Sequence, residues 1–171
     1  MQGRAGEGVR YGFRPMTTYD LPMVRRWLET PEVRRWWGDP DSEISLLEED
    51  LGDPRMRMWI VAHEGRPFAY IQDYDPHDWA MHHFGHLPPG SRGIDQFIGE
   101  PDMIGRGHGS AFIRAHVDRL FAEGAPVVGT DPDPSNARAV RAYQKAGFTA
   151  MSAQESPWAP ALLMVHRRSA L

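Results

Sequence analysis

Asp95 and a glycine-rich stretch just after it are the residues with the clearest chemical potential in this sequence. Asp95 stands between apolar residues of a strand pattern, where burial raises the pKa of a carboxyl and suits it to act as a general base. Gly105, Gly107 and Gly109 precede a helix pattern at alternate positions. Glycines at a helix start expose backbone N–H groups, and the positive end of the helix dipole favours an anion there. The spacing therefore predicts a phosphate-binding loop beside a carboxylate.

From the spacing alone, plainer interpretations of these features stay open. The loop lacks the Gly-Lys-Ser/Thr of a Walker loop, and its third glycine comes too soon for a dinucleotide-binding fingerprint. It could be a tightly packed helix start that binds nothing, and Asp95 could be a structural carboxylate paired with an arginine. Tyr143, on the inner face of a later helix, could be a core aromatic, although a core position and a catalytic role are compatible.

The apolar periodicity predicts the elements that must position these residues. Strands are predicted at 11–16, 56–63, 67–74, 93–99, 126–130, 148–153 and 162–166. Helices are predicted from Leu21, from Pro31 and around Ile44 to Leu51, then at 110–123 and 136–146. Residues 75–91 show no periodicity, and a loop of that length in a compact domain is often functional.

The order of these elements predicts an α/β fold with a mixed, mostly antiparallel central sheet and helices on both faces. The helix between the strands at 93–99 and 126–130 must return the chain to a neighbouring position. That crossover makes this pair of strands parallel or leaves a splay between them.

Composition narrows the classes of function. The 171 residues suit one domain, here 10–171, after a polar, glycine-rich stretch at 1–9 that is predicted to be a disordered tail. A net charge of −4 disfavours nucleic acid as a partner and suits a cationic small-molecule substrate. The chain has no cysteine, which excludes disulfides, thiolate metal sites and a cysteine nucleophile. Because no apolar run approaches the ~20 residues that span a bilayer, we expect a cytoplasmic protein without a membrane partner, as a monomer or homodimer.

The segment 130–148 adds a more specific signal. It contains Asn136 at a helix start, Tyr143 on the inner face of that helix, and then Lys-Ala-Gly-Phe. This segment resembles the second acetyl-CoA motif of the GCN5-related N-acetyltransferases (GNATs), and the loop at 105–109 resembles their pyrophosphate loop. Ile104 departs from the pattern, because many members carry Gln or Arg there. The resemblance implies a GNAT-like fold, with acetyl-CoA as cosubstrate bound by Phe97, Ile98, Gly105, Arg106, Gly107, His108, Gly109, Ser110, Asn136 and Tyr143.

Further segments are similar to the aminoglycoside 6′-N-acetyltransferases within that superfamily. They are Arg-Arg-Trp-Trp-Gly at 34–38, Ala-Tyr-Ile-Gln-Asp-Tyr at 69–74, Arg-Gly-Ile-Asp-Gln-Phe at 92–97 and Thr-Asp-Pro at 130–132. The resemblance implies that Asp95 and Tyr143 are catalytic, the first as general base or amine anchor and the second as proton donor to the CoA thiolate. It implies an acceptor site formed by Trp37, Gln72, Tyr74, Asp78, Asp95 and Asp131. Adjacent helical positions point apart, so only one of Trp36 and Trp37 is expected to face the ligand.

The chemistry of acetyl transfer fits these residues. An aminoglycoside amine is largely an ammonium at pH 7, and a carboxylate can orient it and accept its proton. Backbone N–H groups near 97–99 are the expected donors to the tetrahedral oxyanion. Direct attack of the amine on the thioester needs no covalent enzyme intermediate, which suits a chain without cysteine. Five carboxylates are expected to receive the polycation: Asp73, Asp75, Asp78, Asp95 and Asp131.

Two other functions stay open at this stage. His77-Asp78 ahead of the central strand keeps open an acyltransferase of siderophore biosynthesis that acts on N-hydroxylysine or N-hydroxyornithine. A non-catalytic acyl-CoA-binding module would also carry both cofactor motifs. The histidines at 77, 82, 83 and 86 with Asp78 resemble a metal cluster, but their spacing matches no defined site, so no metal is predicted. We expect these histidines to be solvated or to contact the substrate.

Overall fold

A computed structural model describes residues 11–151 and 160–170 of the chain. The predicted tail at 1–9 lies outside the described residues, as does the end of the strand predicted at 148–153. The assignment of 10–171 to one domain stays a prediction.

Seven strands form one sheet in the order β1-β2-β3-β4-β5-β7-β6. Every neighbouring pair is antiparallel except β4 and β5, which are parallel. The strands are β1 (Tyr11–Pro15), β2 (Met56–His63), β3 (Arg66–Tyr74), β4 (Arg92–Ile98), β5 (Val127–Thr130), β6 (Thr149–Ala150) and β7 (Met164–Arg167). The predicted mixed, mostly antiparallel sheet is confirmed.

Five α-helices cover the two faces of this sheet. They are α1 (Leu21–Leu28), α2 (Pro31–Trp37), α3 (Pro40–Leu51), α4 (His108–Ala122) and α5 (Ala137–Lys145). Helix α4 begins two residues earlier than the apolar pattern indicates, because Gly107 takes the capping position with a left-handed backbone. In the described part of the strand predicted at 148–153, Thr149 and Ala150 pair with β7.

Because side chains alternate along β3 and β4, these strands contribute residues to two separate apolar layers, one on each face of the sheet. Ile71 and Ile94 point to the face covered by α4 and α5, where they join a core that includes Tyr143. Tyr70 and Phe97 point to the other face and pack with α1, α2 and α3. Neighbouring residues of β4 therefore reach opposite sides of the sheet.

The pairing of β4 with β5 ends after two residues of register, Arg92 with Val128 and Gly93 with Gly129. Beyond them the Thr130 hydroxyl still donates to the carbonyl oxygen of Ile94, at 3.1 Å. The remainder of β4 has no backbone partner on this side among the described residues. The predicted splay between the two strands is thus confirmed, and it opens beside Asp95.

The loop at 75–91 is anchored to the sheet, although its sequence shows no periodicity. Phe84 is fully buried and Leu87 nearly so, and both pack with Val127 and Val165. The ring of Phe84 lies so close to Gly129 that a side chain at that position would collide with it. The anchored loop places His83 next to Asp131, which directly follows β5.

Candidate active site

Asp95 is held on β4 by a short chain of hydrogen bonds from β3. Its register partner is Gln72, whose Nε2 donates to Asp95 Oδ2 at 2.9 Å. The hydroxyl of Tyr70 donates to Gln72 Oε1 at 2.6 Å. Because this oxygen accepts from Tyr70, the amide nitrogen must face Asp95, so the carboxyl has a fixed orientation.

The second carboxyl at this site is that of Asp131, which follows β5. Burial, the negative charge of Asp131 and a hydrogen bond with Asp131 all raise the pKa of Asp95 well above its ordinary value. The hydrogen bond from Gln72 opposes this shift only in part. Two carboxyls this close favour one shared proton, as in other carboxyl pairs. The structure brings together the predicted residues Gln72, Asp95 and Asp131.

Tyr143 approaches the splay from the opposite face of the sheet. Its side chain is buried, and its hydroxyl accepts a 3.4 Å hydrogen bond from Gln96 Nε2 and contacts Thr130. Burial raises the pKa of Tyr143 above its ordinary value, with smaller opposing effects from Thr130 and Gln96. The phenol therefore stays protonated at neutral pH and can donate a proton.

The backbone of β4 turns alternate peptide groups toward the splay. The N–H of Gly99 donates to the carbonyl of Phe68 at 2.8 Å, so the odd-numbered N–H groups of β4 face β3. The N–H groups of Gln96 and Ile98 consequently face the open side. Of the backbone donors predicted near 97–99, this geometry favours the N–H of Ile98, whereas the side chain of Phe97 packs among aromatic rings.

The glycine loop has the geometry of an anion site at the start of α4. Gly105 and Gly107 are exposed and have φ angles of +75° and +82°, a region that favours glycine. The first-turn N–H groups of this 15-residue helix point out of its N-terminus. A Cβ on Gly109, by contrast, would make only ordinary contacts, at 3.7 Å from Ile98 and 3.8 Å from Ala142.

His108, the first residue of α4, points its ring into the protein. Its Nδ1 lies 2.8 Å from the hydroxyl of Tyr11, and its ring centroid lies 4.6 Å from that of His63. Burial, followed by the charges of His63 and Arg106, lowers the pKa of His108. The predicted contribution of His108 to a phosphate site would therefore come from its backbone N–H. Of the neighbouring predicted residues, Arg106 is exposed and Ser110 is half-buried.

The predicted cofactor residue Asn136 caps α5. Its Oδ1 accepts a hydrogen bond from the N–H of Ala139 at 3.2 Å. The cap uses the amide oxygen. A contact of Asn136 with the cofactor stays a prediction.

Aromatic rings line the acceptor side of Asp95. Trp37 meets Phe97 edge-on, with ring centroids 5.1 Å apart, and also touches Tyr70. Trp36 turns away, and the guanidinium of Arg35 lies over its ring. Of the two tryptophans, Trp37 is thus the one beside the site.

Tyr74 and Asp78 occupy different surroundings. The ring of Tyr74 is buried against Trp79 and His82, with centroids 5.4 Å apart in both pairs. Asp78 is exposed and lines a cavity of about 290 Å³ together with Arg55, Arg57 and Arg92. No contact among the described residues joins Asp78 to Asp95.

Asp73 is fully buried, which contradicts the expectation that it receives a polycation. It accepts hydrogen bonds from Arg57, Arg92, His116 and Trp59 at 2.6 to 3.0 Å. Burial opposes ionisation of Asp73, but these partners hold its pKa well below the ordinary value. Its neighbours Gln72 and Tyr74 point to the other face, so alternation along β3 separates the structural carboxylate from the site.

The histidines of the loop do not share one environment. His77 and His86 are exposed, His82 is half-buried, and His83 is buried with its Nε2 3.1 Å from Asp131 Oδ2. His83 is therefore not solvated, and for this residue the other alternative, a contact with the substrate, stays a prediction. Sequence reasoning missed this pair, because the two segments meet only through the anchored loop.

Within the described ranges, 11–151 and 160–170, no group of three or more His, Asp or Glu side chains is arranged to hold a metal ion. Within the same ranges, no helix is long and apolar enough to cross a membrane.

Residues 17–155 match the family described as acetyltransferase (GNAT) domain. The chain belongs to the GNAT acetyltransferase family. An aminoglycoside N(6′)-acetyltransferase type 1 from Klebsiella pneumoniae is 34% identical over 169 residues, which cover 92% of this chain and 83% of the relative. A structure of AAC(6′)-Ib in complex with paromomycin and acetyl-CoA has a TM-score of 0.83 and 33% identity, covering 92% of this chain and 93% of the other. A second AAC(6′)-Ib structure, with coenzyme A and kanamycin, has the same TM-score and 32% identity, covering 93% and 95%.

The family match and the similar relative confirm two predictions. The resemblance of the 105–109 and 130–148 segments to GNAT motifs is confirmed by the family match. The further likeness to the aminoglycoside 6′-N-acetyltransferases is confirmed by the curated relative. The roles of individual site residues stay predictions.

Proposed function

We propose that this GNAT enzyme transfers the acetyl group of acetyl-CoA to the 6′-amine of an aminoglycoside by direct attack in a ternary complex. The observation that carries the proposal is the carboxyl pair Asp95–Asp131 at the splay, next to Tyr143 on the other side of β4. The relatives named for aminoglycoside 6′-acetylation cover nearly the whole chain, which supports this acceptor.

Each side of the splay has its own task in this proposal. The N–H groups at the start of α4 bind the pyrophosphate of acetyl-CoA, with Arg106 adding charge. The N–H of Ile98 binds the thioester side and the developing oxyanion. Tyr143 protonates the CoA thiolate as it departs. No cofactor other than this cosubstrate is required.

The acceptor is bound on the Asp95 side. Asp95 orients the ammonium, accepts its proton and leaves a neutral amine that attacks the thioester carbonyl. Asp131 adds negative charge for the polycation, and Trp37 provides an aromatic wall beside a sugar ring. Gln72 fixes the orientation of Asp95, and Tyr74 closes the floor of the site beneath it.

The siderophore alternative has no specific observation in its favour. His77, on which it depends, lies 3.2 Å from Asp75 and 3.1 Å from the carbonyl of Gly85, in an exposed part of the loop. These contacts suit a residue that shapes the loop.

The proposed function includes a cytoplasmic location, since acetyl-CoA is available there. It also includes a monomeric or homodimeric state of the enzyme.

The test measures thiol release from acetyl-CoA with kanamycin or tobramycin as acceptor. A thiol reagent meets no background from the enzyme, because the chain has no cysteine. We expect turnover by the wild type, and a loss of about 100-fold or more in kcat for Asp95→Asn, the range typical of a general base. Acetyl-CoA should bind this variant with unchanged affinity by calorimetry.

Two results would contradict the proposal. Acetylation of N-hydroxylysine, without acetylation of any aminoglycoside tested, would favour the siderophore enzyme. Binding of acetyl-CoA without thiol release on any amine would favour a non-catalytic module. Unchanged turnover in Asp95→Asn would remove Asp95 from the mechanism while leaving the acceptor assignment intact.

A further inference from the structure

The ring of His108 is enclosed by side chains from the first three strands of the sheet. Its Nδ1 lies 2.8 Å from the hydroxyl of Tyr11 on β1, a normal hydrogen-bond distance. Its ring centroid lies 4.6 Å from that of His63 on β2, 5.6 Å from that of Phe68 on β3 and 6.0 Å from that of Tyr11. We call these three residues, Tyr11, His63 and Phe68, the aromatic bracket.

The aromatic bracket belongs to the sheet and is held there by its own contacts. Tyr11 and His63 are register partners in the antiparallel pair of β1 and β2, and their ring centroids lie 5.5 Å apart. Phe68 is fully buried, with its ring centroid 6.1 Å from that of Tyr11. Because His108 is the first residue of α4, these contacts join the start of the helix to the sheet.

The loop that leads into His108 is also anchored at its other end. Asp102 accepts two hydrogen bonds from the guanidinium of Arg66, at 2.8 and 2.9 Å. Met103 is buried in the core that packs against α4. Between Met103 and His108, residues 105–107 are exposed. The proposed pyrophosphate loop is thus a short exposed span between two anchors.

The position of the first turn of α4 decides how well this span can bind an anion. The first-turn N–H groups have no partner within the helix, and the capping residue, Gly107, has no side chain to satisfy them. Glycine loses more conformational freedom than other residues when it is ordered, so a loop that is already held in place binds its ligand more tightly. An anchor on His108 therefore adds to the affinity for an anion at these N–H groups.

On the basis of the proposed acetyl transfer, we propose that Tyr11, through its hydrogen bond to His108, is a positioning residue for acetyl-CoA. The hydroxyl fixes the His108 ring, and with it the backbone N–H groups that meet the pyrophosphate. Two strands, β2 and β3, separate Tyr11 from β4, which carries Asp95. The effect of Tyr11 consequently falls on the affinity for the cosubstrate and leaves the chemical step unchanged.

The test measures binding of coenzyme A by calorimetry and the steady-state constants of Tyr11→Phe, which keeps the ring and removes only the hydroxyl. We expect the Kd for coenzyme A and the KM for acetyl-CoA to rise about fivefold, the order that one net hydrogen bond contributes to an equilibrium. The kcat and the KM for kanamycin should keep their wild-type values, a split that a general loss of stability would not produce. Tyr19→Phe, at a tyrosine that is 94% exposed, is the matched control and should bind coenzyme A as the wild type does.

A double-mutant cycle tests whether Tyr11 acts through His108. His108→Phe keeps an aromatic ring inside the bracket and removes Nδ1. The double variant should bind coenzyme A no more weakly than either single variant, because both changes break the same bond. Independent losses that multiply to about 25-fold would instead mean that the Tyr11 hydroxyl contacts the cosubstrate directly, through the cavity of about 340 Å³ that Tyr11 lines with Ser110 and Ala111. That result would overturn the positioning role.

Two further outcomes would also overturn it. One is an unchanged Kd and KM in Tyr11→Phe, even for an enzyme that acetylates kanamycin normally. The other is a lower kcat in Tyr11→Phe with an unchanged Kd for coenzyme A. The calorimetry needs no acceptor, so the expected rise in Kd would support the positioning role even if no aminoglycoside were acetylated, and only the assignment of the acceptor would then fail.

Discussion

At the residue scale, the acceptor site depends on which side chains of a pleated strand share a face. Asp95 and Gln72 are register partners, so they meet on one face of the sheet. On the other face Asp73 forms an ion cluster with Arg57, Arg92 and His116. Two carboxylates on paired strands, Asp73 and Asp95, thus have opposite roles and opposite pKa shifts. Charge alone, as read from composition, cannot separate them.

The paired tryptophans allow a matched test of the acceptor pocket. Trp37 contacts Phe97 and Tyr70 beside Asp95, whereas Trp36 stacks under Arg35. Trp37→Leu should raise the KM for the aminoglycoside about tenfold, through loss of ring contact worth about 1.4 kcal/mol. The KM for acetyl-CoA should stay the same. Trp36→Leu, its neighbour on the same helix, should leave both constants near wild type, and a larger effect there would reverse the assignment.

At the element scale, the strongest periodic patterns predicted their elements well. Helix α4 and strand β4 were predicted to within two residues, because a continuous apolar face and a run of β-branched and aromatic residues identify them locally. The pairs His83–Asp131 and Asp73–His116 could not be predicted in this way. Residues 73 and 116 are 43 positions apart, and only the folded sheet brings them together.

The glycine loop shows what local pattern leaves undetermined. The three glycines look equivalent in the sequence, but only Gly105 and Gly107 have positive φ angles, and Gly109 does not. Gly107→Ala should strain the cap of α4 by about 1 kcal/mol and weaken acetyl-CoA binding by at least severalfold, because the N–H groups at the helix start would be displaced. Gly109→Ala should have a much smaller effect. Calorimetry with acetyl-CoA checks both, and equal losses would show that backbone conformation is not what the loop requires.

At the scale of the whole molecule, the ion cluster around Asp73 joins strands β2, β3 and β4 to helix α4. His116, on α4, is buried and places its Nε2 2.9 Å from Asp73 Oδ2. Arg119 Nη2 lies 3.1 Å from His116 Nδ1. Because an arginine can only donate, Nδ1 must accept, and the proton resides on Nε2. The hydrogen bonds therefore hold His116 neutral, and they link the helix that carries the proposed pyrophosphate site to the strand that carries Gln72.

This arrangement predicts how the stability of the whole fold responds to acid. Burial lowers the pKa of His116, with the charge of Asp73 opposing the shift. A histidine whose pKa is lower in the folded state than in the unfolded chain contributes stability that is present above its unfolded value, about 6.5, and is lost as the pH falls toward the folded value. The free energy of unfolding should therefore decline between about pH 7 and pH 5, by no more than about 1.4 kcal/mol per pH unit for this one group.

His116→Gln should flatten that decline, because glutamine can donate to Asp73 and accept from Arg119 but does not titrate. Urea unfolding at pH 7 and pH 5 measures the difference, with exposed His86→Gln as the control that accounts for loss of a histidine as such. Asp73 should keep its stabilising charge throughout this range, since its partners hold its pKa well below the ordinary value. A steeper acid loss in His116→Gln would mean that the wild-type imidazole is protonated in the fold, and that the cluster works as an ion pair instead of a neutral hydrogen bond.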